Sequence, residues 1–163
     1  SDEKTGYLEK IKSEGRAFID EDKVALKEAD KNYINSPKLL RARLLYDGGY
    51  YEKAHLGLTS ENKLSDYAGF FDEYYYRLAR IESKLKYLDE KVIIQYQKAF
   101  GLGQESKNYY APMSALQIGL IYEKQDKLKQ AKIYFEKCLS FSDFDYERGI
   151  HQKAKVGLVR VTN

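Results

Sequence analysis

Residues 112–145, PMSALQIGLIYEKQDKLKQAKIYFEKCLSFSDFD, carry the clearest fold signal in the chain. Ala115, Ile118, Gly119 and Tyr122 recur at offsets of three and four, the spacing that lines one face of a helix. After the polar stretch Lys124-Gln125-Asp126-Lys127, the residues Ala131, Phe135 and Cys138 repeat that spacing in a second helix. A connection this short makes the two helices antiparallel neighbours. Helices approach to about 8–10 Å only where small side chains sit at their crossing. Gly119 costs roughly 1 kcal/mol against alanine inside a helix, and a close crossing accounts for it. Tyr122 and Phe135 are expected to fill the space beside it.

Fainter copies lie upstream. Gly49-Tyr50-Tyr51-Glu52-Lys53-Ala54 aligns with Asp126-Lys127-Leu128-Lys129-Gln130-Ala131. Val92, Tyr96 and Ala99 repeat the spacing of Ala131, Phe135 and Cys138. Ala42 and Ala79 fall near the place of Gly119, with separations of 37 and then 40 residues.

The rest of the chain also reads as helix. Ser36-Pro37 is a start signal, serine before the first turn and proline at its first position. That helix runs through Leu39, Leu40, Ala42, Leu44 and Leu45 to Gly48-Gly49, and a partner follows from Tyr50 to about Leu58. Residues 59–65 lack periodicity and read as a loop. Asp66 is expected to cap a long helix through Phe70, Phe71, Tyr74, Leu78 and Ile81. Asp89 caps another, through Val92 to Ala99, stopped by Gly101 and Gly103. Pro112 begins the helix to Gln125, residues 127–141 form its partner, and Asp143 caps a last helix through Tyr146, Ile150, Ala154 and Leu158. Helical patterns also occupy residues 3–13 and the stretch from Asp20-Glu21-Asp22 through Ala29. No alternating strand pattern appears.

These hairpins, with their small and large apolar residues at fixed places, resemble the tetratricopeptide repeat. Its period is roughly 34 residues, so the longer separations here put insertions in the turns. The likeness covers a little over half the chain. It implies an all-α fold, a right-handed α-α superhelix of antiparallel helix pairs with flanking helices. The implied layout is one domain over 1–163: flanking helices in 1–34, repeat units 36–61, 66–102 and 112–142, and a capping helix 143–163.

The resemblance also implies a groove lined by the first helices of the units, which in this family takes proteins or peptides. Carried across, the groove positions are Arg43 and Tyr46, then Tyr76, Arg80 and Lys84 with Arg77 beside them, then Leu116, Leu120 and Glu123. The family's lysine and asparagine clamp for a terminal carboxylate is absent, because its positions hold Leu39 and Arg43, Tyr76 and Arg80, Leu116 and Leu120. A looser likeness to bacterial repeat proteins, through Glu73-Tyr74-Tyr75-Tyr76-Arg77-Leu78, implies no function. The expected function is a protein- or peptide-binding scaffold without catalysis. The alternative is a non-binding structural or regulatory spacer in a larger signalling or exported bacterial protein.

Composition narrows the classes. A chain of 163 residues buries about 70% of its unfolded surface and folds without staples. Lys+Arg number 28 against 25 Asp+Glu, a net charge of +3 too small and dispersed to argue for nucleic acid. Two prolines suit a helical chain. Sixteen tyrosines with no tryptophan suit helix seams bordering water. A single cysteine rules out an internal disulfide. No run of about 18 apolar residues is present to span a membrane. Ser1-Asp2-Glu3-Lys4 is no signal peptide, which fits a piece of a longer chain. The compartment is not legible.

Nothing in the chain calls for a metal or cofactor. His55 and His151 have no companion ligand at metal spacing and read as surface or packing residues. Cys138 reads as a buried small hydrophobe. Gly101-Leu102-Gly103-Gln104 lacks the context of a phosphate loop and reads as a helix stop. Paired carboxylates such as Asp20 with Asp22 and Asp143 with Asp145 read as solvated helix ends. Tyr74, Tyr75 and Tyr76 point about 100° apart on a helix, so at least one is expected to be partly exposed or to meet the next repeat.

Overall fold

A computed structural model of the chain describes residues 36–60 and 64–162. The helices expected within residues 3–31 lie outside the described residues. Contacts divide the chain into two compact units, Ser1–Asn35 and Ser36–Asn163, and all described residues belong to the second.

The described residues form seven α-helices and no strand. They are α1 (Pro37–Asp47), α2 (Tyr51–Thr59), α3 (Phe71–Lys84), α4 (Asp89–Leu102), α5 (Tyr110–Lys124), α6 (Leu128–Leu139) and α7 (Glu147–Thr162), with a short 3-10 turn at Leu64–Tyr67 before α3. Each helix packs on the next, and α1 also packs on α3, α3 on α5 and α5 on α7. Helix pairs stacked in series with their first helices side by side make a helical-repeat solenoid. The last helix packs on both α5 and α6, just as α5 packs on both α3 and α4.

One turn closes all three hairpins. Tyr50 N–H donates to the Leu45 carbonyl at 2.8 Å, Tyr87 to Glu82 at 3.0 Å and Lys127 to Tyr122 at 2.9 Å. This six-to-one bond ends a helix when the residue just before the donor is left-handed. Those residues are Gly49 (φ 81°), Lys86 (φ 59°) and Asp126 (φ 58°). Only the first is a glycine, for which that φ carries no steric cost.

The core follows the hairpins. Leu39, Ala42, Ala54 and Leu58 from α1 and α2 meet Tyr67, Leu78 and Ile81. Ala79, Val92, Tyr96 and Ala99 pack with Ile118. Ala131, Phe135 and Cys138 pack with Ala115, Leu116, Ile150 and Ala154. Gly119 gives its space to Phe135: a Cβ there would lie 2.6 Å from the ring. Gly157 of α7 does the same, also at 2.6 Å. Tyr122 sits at the edge of this crossing, its ring 5.7 Å from that of Tyr134.

Several expected helix starts are displaced. Asp66 lies in the 3-10 turn and bonds Lys38 at 2.8 Å, because left-handed Gly69 (φ 84°) breaks the chain before α3 begins at Phe71. Asp89 is the first residue of α4 rather than its cap, and its carboxylate accepts from Gln125 Nε2 at 2.9 Å. Pro112 is the third residue of α5, which starts at Tyr110. Asp143 is left-handed (φ 61°) and four residues ahead of α7. Its N–H donates to Glu147 Oε2 at 2.7 Å, so the glutamate reaches back from the first turn to the residue expected to cap it. Leu44 is 62% exposed, and α1 buries only Leu39 and Ala42.

Candidate partner-binding cleft

The first helices enclose an open cleft of about 350 Å³. Tyr46 enters it from α1, and Tyr76, Arg80, Ser83 and Lys84 enter from α3. Met113 and Gln117 come from α5, Lys153 from α7, and Tyr96 of α4 lies at its base. The α3 residues share a face because Arg80 follows Tyr76 by four positions, and Ser83 and Lys84 follow Arg80 by three and four. Met113 and Gln117 are likewise one turn apart, and Gln117 Nε2 lies 3.7 Å from Met113 Sδ.

Arg80 is held by aromatic rings. Its guanidinium lies 4.1 Å from the centroid of Tyr46 and 5.6 Å from that of Tyr76. Stacking of this kind fixes a cation in place without neutralising it. Burial pushes the Tyr76 and Tyr96 hydroxyls well above the ordinary phenol range, so both are neutral. Tyr76 is 4% exposed and Tyr96 3%, so they add little free surface to the lining. Tyr74 and Tyr75 are half-buried, their rings 5.0 Å apart.

The cleft brings together Tyr46, Tyr76, Arg80 and Lys84 from the expected groove. Arg43 lies just outside, in a narrow crevice between α1 and α3 beside Arg77 and Arg80, and it is 3.7 Å from Asp47. Arg77 is 6% exposed and engaged inside the protein. Its Nε and Nη2 donate to Glu73 Oε1 at 2.6 and 2.5 Å, and its guanidinium faces the Tyr110 ring at 5.9 Å. Burial opposes the Arg77 charge, yet the Glu73 carboxylate beside it, with Tyr110 and Tyr109, holds its pKa above the ordinary value.

Glu123 is also taken: Arg160 of α7 donates to its two oxygens at 2.5 and 2.7 Å, which holds its carboxyl below the usual range. Leu116 is fully buried and Leu120 packs on the same core cluster. In the third unit the cleft residues are instead Met113 and Gln117. Sequence reasoning missed these two and Lys153. The signal was available for Gln117, which follows Met113 by one helical turn.

Among the described residues no histidine, cysteine or carboxylate lines the cleft, and no group of three such residues gathers to hold a metal. Glu82 is buried between α2, α3 and α4, 3.1 Å from Lys91 Nζ and 3.5 Å from His55 Nε2, so His55 is a packing neighbour of an internal carboxylate. Cys138 is buried, and that burial pushes its thiol up to about 12 although the Leu116 backbone opposes it. A thiol so placed is inert. Iodoacetamide is expected to label Cys138 roughly a hundredfold more slowly in the native protein than in urea. Mass spectrometry checks this, and equal rates would contradict the burial.

No helix among the described residues is long and apolar enough to cross a membrane. Residues 114–144 match the family model of the tetratricopeptide repeat. Neither the curated proteins nor the solved structures contain a match to the chain. Stacked repeats of this kind present extended concave surfaces for binding other proteins. The matched segment spans most of α5, all of α6 and the turn between them, in an array that is helical throughout its described length. Over residues 114–144 the chain is therefore tetratricopeptide-repeat-like.

Proposed function

We propose that residues 36–162 form a scaffold that holds a partner protein or peptide in the cleft across α1, α3, α5 and α7, without chemistry of its own. One observation carries this: the cleft is open, is lined from the first helices of all three pairs and from α7 at once, and presents side chains with spare hydrogen-bonding capacity, Ser83, Lys84, Gln117 and Lys153. A stretch of chain laid along it meets every unit, which suits an extended peptide better than a compact small molecule. The absence of a nucleophile–base pair or of converging carboxylates in the lining weighs against an active site there.

The reading is tested with a photo-crosslinking residue placed at Ser83, in the cleft, or at Ile133, an exposed position on α6 outside it. In cells that make the protein, Ser83 is expected to give a discrete adduct that Ile133 does not. Identical adduct patterns at both positions, or none at Ser83, would remove the cleft as the binding surface.

A further inference from the structure

We infer that the cleft selects an acidic peptide segment, whose side-chain carboxylates meet the cations of its lining. This rests on the cleft being the binding surface and adds the chemistry of the partner. The charged residues of the lining, Arg80, Lys84 and Lys153, are all cations, although the chain carries 28 basic and 25 acidic residues in all. None of the three has a carboxylate partner among the described residues. At other helix contacts some cations do have one: Arg77 holds Glu73, Lys91 holds Glu82 and Arg160 holds Glu123. The cleft is therefore a place where positive charge is positioned and left without an internal counter-ion. Carboxylates brought by a partner complete it.

Arg80 is the best positioned of the three. Its guanidinium is held 4.1 Å from the Tyr46 ring centroid and 5.6 Å from that of Tyr76, and its fork of donors suits a carboxylate. Lys84 follows one turn later, so the two lie about 5–6 Å apart at Cβ. Lys153 reaches the same cleft from α7. Ser83 and Gln117 are left to bond the peptide backbone.

The aromatic rings argue against single-stranded nucleic acid, which needs free faces for base stacking. Arg80 covers Tyr46, while Tyr76 and Tyr96 are buried. Three cations on two helices also fall short of a phosphate-tracking stripe.

The test measures fluorescence anisotropy of the 163-residue chain with a labelled peptide alternating glutamate and serine, at about 50 mM salt where screening is weak. The controls are the same peptide with glutamine for glutamate, oligouridylate, and inorganic phosphate as competitor. The glutamate peptide is expected to bind at least about tenfold more tightly than the glutamine peptide. Lys84→Glu with Lys153→Glu is expected to abolish that preference and Arg80→Gln to weaken it. Both lysines are exposed, so the thermal melt of the lysine variant is expected to match that of the parent. Equal binding of the two peptides, an unchanged preference in the lysine variant, tighter binding of oligouridylate, or full competition by phosphate would each overturn the inference. A retained Ser83 adduct alongside any of these results would leave the cleft standing and remove only its acid selectivity.

Discussion

Gly119→Ala and Gly157→Ala are each expected to destabilise the protein by about 1–3 kcal/mol, while Gly57→Ala and Gly149→Ala stabilise it by up to about 1 kcal/mol. All four glycines sit in helices, where alanine is ordinarily the better residue because it loses less backbone entropy. The sign must therefore come from packing. At Gly57 and Gly149 an added Cβ meets nothing within 4 Å. At Gly119 and Gly157 it would lie 2.6 Å from the Phe135 ring. The ring is fully buried and wedged between these two backbones, so moving it away from one pushes it into the other.

Leucine at either position is expected to cost about 3 kcal/mol or more, a fall in melting temperature of roughly 10 °C. Phe135→Ala alone is expected to lose about 3–5 kcal/mol by leaving a cavity. Combined with Gly119→Leu it should lose clearly less than the two costs together, because one variant opens the space that the other fills. Urea unfolding of the set checks this. If all four alanine variants moved in the same direction, the three-way contact among α5, α6 and α7 would not exist as described.

Gly119 and Phe135 were legible because small and large residues at helical offsets are a direct record of a close crossing. Gly157 was not, because α7 reads as a cap and caps leave no strong spacing rule. The helices themselves were legible from periodicity, whereas their first residues were not. Asp66, Asp89 and Asp143 all carry the chemistry of a cap, but Gly69 and the left-handed Asp143 decide where the chain can turn. The hairpin turns show the same limit: a glycine announces the first, while Lys86 and Asp126 adopt the same backbone without any such signal.

For the cleft, Tyr46, Tyr76, Arg80 and Lys84 followed from one face of α1 and α3. Lys153 did not, since it faces them only through the stacking of α7 on α5. Whether a charged side chain has an internal partner is also invisible in a sequence when that partner is on another helix. Glu123 and Arg160 are such a pair. The Arg77–Glu73 pair lies within one helix at i, i+4, yet that spacing alone could not tell a buried ion pair from an exposed one.

That distinction gives the other large effect, Arg77→Ala, expected to cost about 3–5 kcal/mol. The two partners are each 6% exposed and bonded at 2.5 and 2.6 Å. Tyr110 of α5 bonds the same Glu73 through its hydroxyl, and burial, the largest cause, with Glu73 next, pushes that phenol far above its ordinary range. Removing Arg77 strands a carboxylate among apolar rings at the junction of α3 and α5. Replacing both members, Glu73→Leu with Arg77→Met, removes the charges together and should cost much less, because no ion is then left without a partner. Arg77→Lys should fall between, since an ammonium cannot present two donors in the guanidinium's fork or stack on Tyr110 in the same way. If Arg77→Ala melted like the parent, the ion pair would carry no stability. If the double variant fared as badly as the single, the loss would lie in packing rather than charge. The outcome bears on binding as well: an Arg77→Ala, Arg80→Ala protein that captures less partner could simply be unfolding. Arg80→Gln, with Arg77 left in place, is the variant that reads the cleft itself.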